Sequence, residues 1–376
     1  MVVVACWNGT CASDWAGLGS LAIEGTRVKL GLHLGYWGAG NDLQNIVLAQ
    51  EADKLGYDIV WTSEAYGSDA ATVAAWVAAH TTRVDIGSGV FQIPGRTPAN
   101  TAMTAATLDT LSGGRFRLGL GLSGPQVSEG WHGVRFDHPM QRTREYVEIV
   151  RMALARERVQ YEGDCFTLPL PDSQGKPLTL TIHPVREHIP IYLAAIGPKS
   201  LELVGEIADG WMSVQFSPEH ADDTLGIVRA ARESAGKSMS DFEVIATTSV
   251  VFGDDLEACA DSLRPGSALY IGGMGSRKMN FYNQNVRRMG YEQAAQEVQD
   301  KYLAKDYAGA QAALPFELLD QISLIGPPER IADRLQAYAQ VGVTNLTFSA
   351  VGDTIQEKIT SVRTMAEVLD LSGCAS

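Results

Sequence analysis

The sequence is poor in the features that most often announce a function. Five cysteines (Cys6, Cys11, Cys165, Cys259 and Cys374) are scattered through 376 residues, and none forms a CxxC pair. An odd, dispersed set argues against a disulfide framework. Without CxxC, a zinc ribbon or a thioredoxin-type motif is also unsupported, and a reducing, cytoplasmic setting is expected. Positive charge is scarce: 30 Lys and Arg against 44 Asp and Glu leave a net charge of −14. That balance disfavours nucleic acid and anionic membranes as partners. No apolar run approaches the roughly 20 residues of a membrane span. Residues 1–27 contain a short apolar run but no basic n-region, so a signal peptide is not expected, and Asn8-Gly9-Thr10 reads as a chance sequon. HExxH and GxSxG are missing, the seven histidines show no metal-ligand spacing, and no Ser/His/Asp set declares itself. No metal site is expected.

What is present is rhythm. Composition is ordinary for a globular protein, with 45% hydrophobic and 20% charged residues. Strand-like apolar runs alternate with helical patterns: 28–35, 57–64, 83–91, 115–122, 190–195, "DGWMSVQF", 242–253 and "VTNLTFSAV". Gly56 and the Gly113-Gly114 pair read as helix ends, and Asp42 as a helix cap. About eight such units predict a parallel sheet closed into a (β/α)8 TIM barrel, with a doubly wound sheet as the rival. Two excursions break the rhythm: 158–189, rich in proline and turn residues and suggestive of a small hairpin, and 264–325, mostly helical. The expected organisation is one barrel domain over 28–376 behind an N-terminal extension of 1–27.

In a barrel the chemistry lies beyond the strand C-termini. After the first strand stand His33, Tyr36 and Trp37; the histidine suits the core and the two aromatics an apolar substrate pocket or the barrel rim. After the second stand Ser63 and Glu64, whose carboxylate is a candidate general acid or base, or the start of a solvated loop. After the fourth, Gly119, Gly121 and Gly124 spell GxGxxG, but Pro125 follows and "PQVSEGWHG" reads as a loop. A dinucleotide site is therefore disfavoured against glycines that admit a flat ligand. After the fifth, Gly197, Pro198 and Lys199 combine a tight turn, a helix start and a positive charge, which suits a phosphate as well as an ordinary helix cap. In the second excursion, "YIGGMGSRKMNFYN" reads as a flexible basic loop in which Arg277 and Lys278 receive an anionic tail, or as plain surface. One stretch is puzzling. "VDIGSGVFQIPG" (84–95) puts Gly87 and Gly89 inside a strand, where glycine costs entropy and offers nothing to pack.

The stretches "VKLGLHLGYWG", "YDIVWTSEAYG", "GSGVFQIPGRTPANTAMTAATLDTLSGGRFRLGLGLSGPQVSEGWHG", "IPIYLAAIGPKS" and "IADGW" together resemble the bacterial luciferase-like superfamily. The resemblance is closest to its deazaflavin (coenzyme F420) dependent oxidoreductases, and it covers about residues 28–371. It implies a (β/α)8 barrel with hydride transfer at C5 of F420 to or from a small organic substrate. It implies a non-prolyl cis peptide, here Gly89–Val90, whose bulge backs the cofactor ring. Ser63, Gly121, Ser123 and Gly124 would lie near the ring. Ala194, Ala195, Gly197, Pro198 and Lys199 would hold the phosphate. His33, Tyr36, Trp37 and Trp131 would line the substrate pocket. Some alcohol-oxidising relatives carry a histidine base just after the second strand. Here Ala65 follows Ser63-Glu64, which leaves Glu64 or a substrate group to manage the proton. An FMN-dependent two-component monooxygenase and a non-catalytic cofactor-binding protein are the alternatives. Relatives suggest a homodimer.

Overall fold

A computed structural model describes residues 27–37 and 44–375; residues 1–26 and Asp42 lie outside them. Eight parallel strands close on themselves: Lys29–His33, Ile59–Thr62, Asp85–Ser88, Phe116–Gly121, Ile191–Ala194, Gly210–Val214, Glu243–Phe252 and Asn345–Ala350. Closure is made by Leu30 opposite Leu346, and each remaining neighbour pair is also parallel. The expected (β/α)8 barrel is the observed fold.

Helices form where the sequence places caps. Asp69 accepts from Thr72 N at 2.8 Å and opens Ala70–His80. Thr97 and Pro98 open Pro98–Ser112, which ends at left-handed Gly113. Asn45–Leu55 ends at left-handed Gly56. Thr354 and Glu357 make a reciprocal capping box for Ile355–Ser372. The outer helices bury their apolar stripes against the sheet in one continuous core.

The barrel interior is filled by Ile59, Trp61, Tyr192, Met212 and Ile245, with Val90 and Ala194 packed on top. Trp61 donates to Thr347 Oγ1 at 3.1 Å and meets Tyr192 edge-on at 5.7 Å. This resolves half of the puzzle in "VDIGSGV". A Cβ on Gly87 would collide with the six-membered ring of Trp61, so glycine here is the price of an indole inside the barrel.

The N-terminal end of the barrel is plugged by charge. Arg117 bridges Asp58 (3.0 Å), Asp85 (2.7 Å) and Glu243 (2.8 Å), while Lys29 meets Asp58 at 2.9 Å and the Tyr192 hydroxyl donates to Glu243 at 2.9 Å. Burial holds the Asp85 carboxyl above its ordinary range, even against the nearby Arg117 charge.

The first excursion carries the expected hairpin, Tyr161–Glu162 against Thr167–Leu168. Buried Glu145 holds it by accepting from the backbone N–H groups of Asp164, Cys165 and Phe166 at 2.8–2.9 Å. Burial opposes the charge on Glu145, but these bonds and one from Gln141 prevail and keep its pKa below the ordinary value. The second excursion opens earlier than expected, at helix Leu256–Ala268, and runs through Phe281–Arg288, Glu292–Leu303, Tyr307–Ala312 and Phe316–Ile322 around its own small core. It returns through Leu324–Gly326, which pairs with the end of the seventh strand (Val250 opposite Leu324). Strand seven outruns the barrel, and that overhang carries the insertion toward the mouth.

Candidate active site

The third strand stops at Ser88, the Gly89–Val90 peptide is cis, and Phe91–Gln92 resumes pairing with the fourth strand. The second glycine of the puzzle therefore sits in the bulge itself. A Cβ on Gly89 would lie 3.2 Å from Trp61 Cβ and 3.4 Å from His33 Nε2. The fourth strand supplies the matching relief: a Cβ on Gly119 would strike the Ser88 carbonyl oxygen, and one on Gly121 would strike Val90 Cγ2. The glycines of "RFRLGLGL" thus make room for the bulge, rather than for a dinucleotide. Val90 and Ala194, both half-buried, form an apolar floor over the barrel core.

Around that floor the expected residues fall as follows. His33 lies with Nε2 3.4 Å from the Gly89 carbonyl oxygen, and the Ser63 hydroxyl is 3.4 Å from both ring nitrogens. Burial lowers the His33 pKa, and its hydrogen bond to the Gly89 carbonyl only partly opposes this. A neutral ring with Nε2–H donating to Gly89 and Nδ1 accepting from Ser63 and from Gly35 N (3.4 Å) satisfies every partner. Ser123 takes a left-handed backbone (φ 59°). Gly124 caps a short helix, Pro125–Gly130, where the sequence suggested a loop. Pro125 stands at the first helical position, where proline starts a helix rather than breaking one.

Across the mouth, Ala194 ends the fifth strand, and the Ala195 carbonyl accepts from Trp211 Nε1 at 3.0 Å. Gly197 caps helix Pro198–Ile207 without a side-chain cap, which leaves the first-turn amides of Lys199 and Ser200 available to an anion. The Lys199 side chain is exposed. A flat apolar floor facing an uncapped helix start fits a planar ring with an anionic tail.

Three expectations change in detail. The Glu64 carboxylate is occupied: it accepts from Gln92 N (3.1 Å), Ala70 N (3.3 Å) and Arg96 Nη2 (2.7 Å). Arg96 also binds Asp69 and lies 4.6 Å over the Phe91 ring. Glu64 braces the bulge strand, a geometry that does not favour the proton-transfer role expected of it. Trp131 is 66% exposed; its neighbour His132 turns inward instead, 2.7 Å from Gln92 Oε1. Arg277 is tied to Asp300, and the glycines of "IGGMG" give close packing rather than freedom, since a Cβ on Gly272 or Gly273 would meet Tyr302.

Sequence reasoning missed the roof. Helix Phe281–Arg288 crosses the mouth. Arg288 Nη2 donates to the Ile196 carbonyl at 3.0 Å and Asn285 Nδ2 reaches the Gln215 carbonyl at 3.5 Å. At its start, Phe281 faces Phe136 of the loop after the fourth strand at 6.5 Å. Gln92, His132 and Arg288 line this region; Gln92 and His132 lay within stretches already singled out (84–95 and "WHG"), and Arg288 did not.

Comparison with known proteins agrees with this geometry. The luciferase-like monooxygenase family model matches residues 33–345. The chain belongs to that family. A Mycobacterium tuberculosis protein named as a coenzyme F420-dependent oxidoreductase is 43% identical over 335 residues, covering 86% of this chain and 95% of that protein. Among solved structures, the F420-dependent tetrahydromethanopterin reductase of Methanopyrus kandleri superposes with a TM-score of 0.76 at 21% identity, over 91% of this chain and 98% of its own. The oxygenating component of 3,6-diketocamphane monooxygenase from Pseudomonas putida, in complex with FMN, gives 0.66 at 21% identity, over 91% and 98%. In this luciferase-like chain, no helix of the described residues is long and apolar enough to cross a membrane.

Proposed function

We propose that this chain is an F420-dependent oxidoreductase acting on a small organic substrate. The carrying observation is the apolar floor of Val90 and Ala194 set against the uncapped helix start at Gly197. When bound, the deazaflavin supplies hydride chemistry at its C5 carbon. The bulge, with Gly121 and Ser123 beside it, backs the ring, and the amides of Lys199 and Ser200 take the phosphate. Neutral His33 holds its Nε2 proton on the Gly89 carbonyl, and its Nδ1 accepts from the Ser63 hydroxyl, so that the pair faces the ring without adding charge. Glu64 acts as a positioning residue: through Gln92 N and Arg96 it fixes the strand that follows the bulge.

The floor and turn would also suit FMN; the most similar relative described above favours the deazaflavin. Equilibrium titration of the full chain with F420 and with FMN, followed by their absorbance and fluorescence, separates the two. The expected result is F420 binding in the micromolar range or tighter, with FMN at least about tenfold weaker. Micromolar FMN binding without F420 binding would transfer the reading to a two-component monooxygenase.

A homodimer in a reducing, cytoplasmic setting completes the reading. Trp76 (52% exposed), Met103 (55%) and Leu111 (64%) stand out on the adjacent helices Ala70–His80 and Pro98–Ser112. Among the described residues, Cys165, Cys259 and Cys374 form no disulfide. Sedimentation equilibrium should return twice the chain mass at micromolar concentration; a monomer there removes the dimer.

A further inference from the structure

We propose that Gln92, oriented by His132, is a substrate-binding residue whose Nε2–H group donates to a carbonyl oxygen of the substrate. The proposal rests on the oxidoreductase reading for the ring beneath and adds the functional group recognised above it.

Gln92 enters the mouth because of how the chain leaves the bulge. Side chains alternate faces along Val90-Phe91-Gln92. Val90 packs on the barrel interior and Phe91 lies in the outer core, so Gln92 returns to the inner face. The register agrees. Gln92 stands opposite Gly121, where a Cβ would strike Val90 Cγ2 and lie 3.9 Å from the Ala194 Cβ. Glycine there leaves the glutamine side chain with no cross-strand neighbour. Phe91–Gln92 runs parallel to the fourth strand, toward the mouth, and two residues advance roughly 6–7 Å. A flat ring resting on Val90 lies only about 3.5–4 Å from it. The Gln92 amide is therefore level with a molecule laid on the ring, not with the ring.

Gln92 is held at both ends, and one polar group is left over. Its backbone N–H donates to Glu64 Oε2 at 3.1 Å. Its Oε1 lies 2.7 Å from His132 Nε2, a contact that needs the imidazole proton on that nitrogen. His132 is itself placed from two sides. Its backbone N–H donates to the Val127 carbonyl at 3.1 Å, and its ring packs on Gly95, where a Cβ would lie 2.9 Å from His132 Cε1. A histidine that donates fixes the sense of the amide, with Oε1 toward the imidazole and Nε2 free to face the mouth. Among the described residues Nε2 has no hydrogen-bond partner, although Gln92 is only 4% exposed. A donor so enclosed and unused calls for an acceptor.

The free end of the amide offers donors only, so it selects an oxygen. The Arg96 guanidinium beyond the bulge strand is already shared between Glu64 and Asp69. The amide therefore works as a neutral donor. A carbonyl oxygen suits it, since it accepts through its lone pairs and brings no hydrogen of its own to leave unpaired. Holding that oxygen also holds the carbon beside it over the ring, the positioning that hydride transfer needs.

The test uses the full chain, alone and saturated with F420, titrated calorimetrically with 2-acetylnaphthalene and with 2-isopropenylnaphthalene, which replaces C=O by C=CH2. The loaded chain should prefer the ketone by about three- to tenfold, the worth of one neutral hydrogen bond. Gln92→Met, which keeps the side-chain length, should bring the two probes within about twofold of each other. His132→Phe, which keeps a ring on Gly95 but frees the amide, should lower ketone affinity and leave the alkene within about twofold, a split that general damage to the mouth would not produce. F420 affinity in both variants should stay within about twofold. Nitrogen NMR of the unaltered chain should find His132 protonated at Nε2. No ketone binding, no ketone preference, or a preference that survives Gln92→Met overturns the subsite. F420 affinity lost in Gln92→Met, with the ketone preference intact, assigns the amide to the cofactor and overturns it as well. A bare His132 Nε2, or a preference unmoved in His132→Phe, overturns the orienting role. Failure of F420 to bind instead strikes the oxidoreductase reading, and the ketone preference is still read in the chain alone.

Discussion

Valine in place of Gly121 should give a folded protein that binds F420 about 100-fold more weakly or worse. The added Cβ would strike Val90 Cγ2 and lie 3.9 Å from the Ala194 Cβ. The obstacle is the end of a side chain, so the strand keeps its register with Ile191–Ala194 and the fold survives. Val90 packs on the barrel core, so its displacement intrudes on the floor where the cofactor ring is proposed to lie. A hundredfold loss corresponds to about 2.7 kcal/mol, within the ordinary cost of overpacking a well-filled site. Circular dichroism and a thermal melt check the fold, and fluorescence titration reads the affinity. Unchanged F420 binding in a folded variant would mean that the ring does not rest on this floor. Gly119→Val makes the contrast, because its Cβ meets the Ser88 carbonyl oxygen, which is backbone, and Met212 Sδ at 2.9 Å. That variant should fail to accumulate as folded protein.

Arg117→Met should cost about 3–5 kcal/mol of stability, the usual consequence of removing one partner from a buried ionic cluster. Methionine keeps the aliphatic volume but leaves Asp58, Asp85 and Glu243 facing one another, with Lys29 reaching only Asp58. A melting temperature lower by roughly 4–6 °C follows for a chain of 376 residues. The sign of the pH dependence is fixed. The Asp85 carboxyl is already raised by burial, and loss of the guanidinium that opposes this raises it further above its unfolded value. The destabilisation is then full at neutral pH and relieved as pH falls through the raised Asp85 value, so the variant's deficit should shrink on acidification. F420 affinity should be nearly untouched, since the cluster sits at the opposite end of the barrel. A deficit that is flat with pH would show that packing, not charge, carries the role of Arg117.

The backbone plan was legible because it is written locally. Helix ends at Gly56 and Gly113, the cap at Asp69 and the alternation of apolar runs each depend on residues a few positions apart. The bulge was legible only as an anomaly, two glycines in a strand; the resemblance placed it at Gly89–Val90, where the structure has it. The rest depends on partners far apart in sequence. Nothing near Glu64 announces Arg96, and nothing near Ile196 announces Arg288. Charge alone suggested Arg277 as an anion receptor, whereas Asp300 on a neighbouring helix already claims it. The roof was hidden for the same reason, since asparagine reads locally as a turn residue and here Asn280 and Asn283 work as buried crossties.

The barrel is a cup. Trp61 and its neighbours fill its middle, and the Arg117 cluster closes its base. A vessel with one opening imposes a queue. Whatever rests on the Val90–Ala194 floor has one way in and one way out, past the helix Phe281–Arg288 that crosses the mouth.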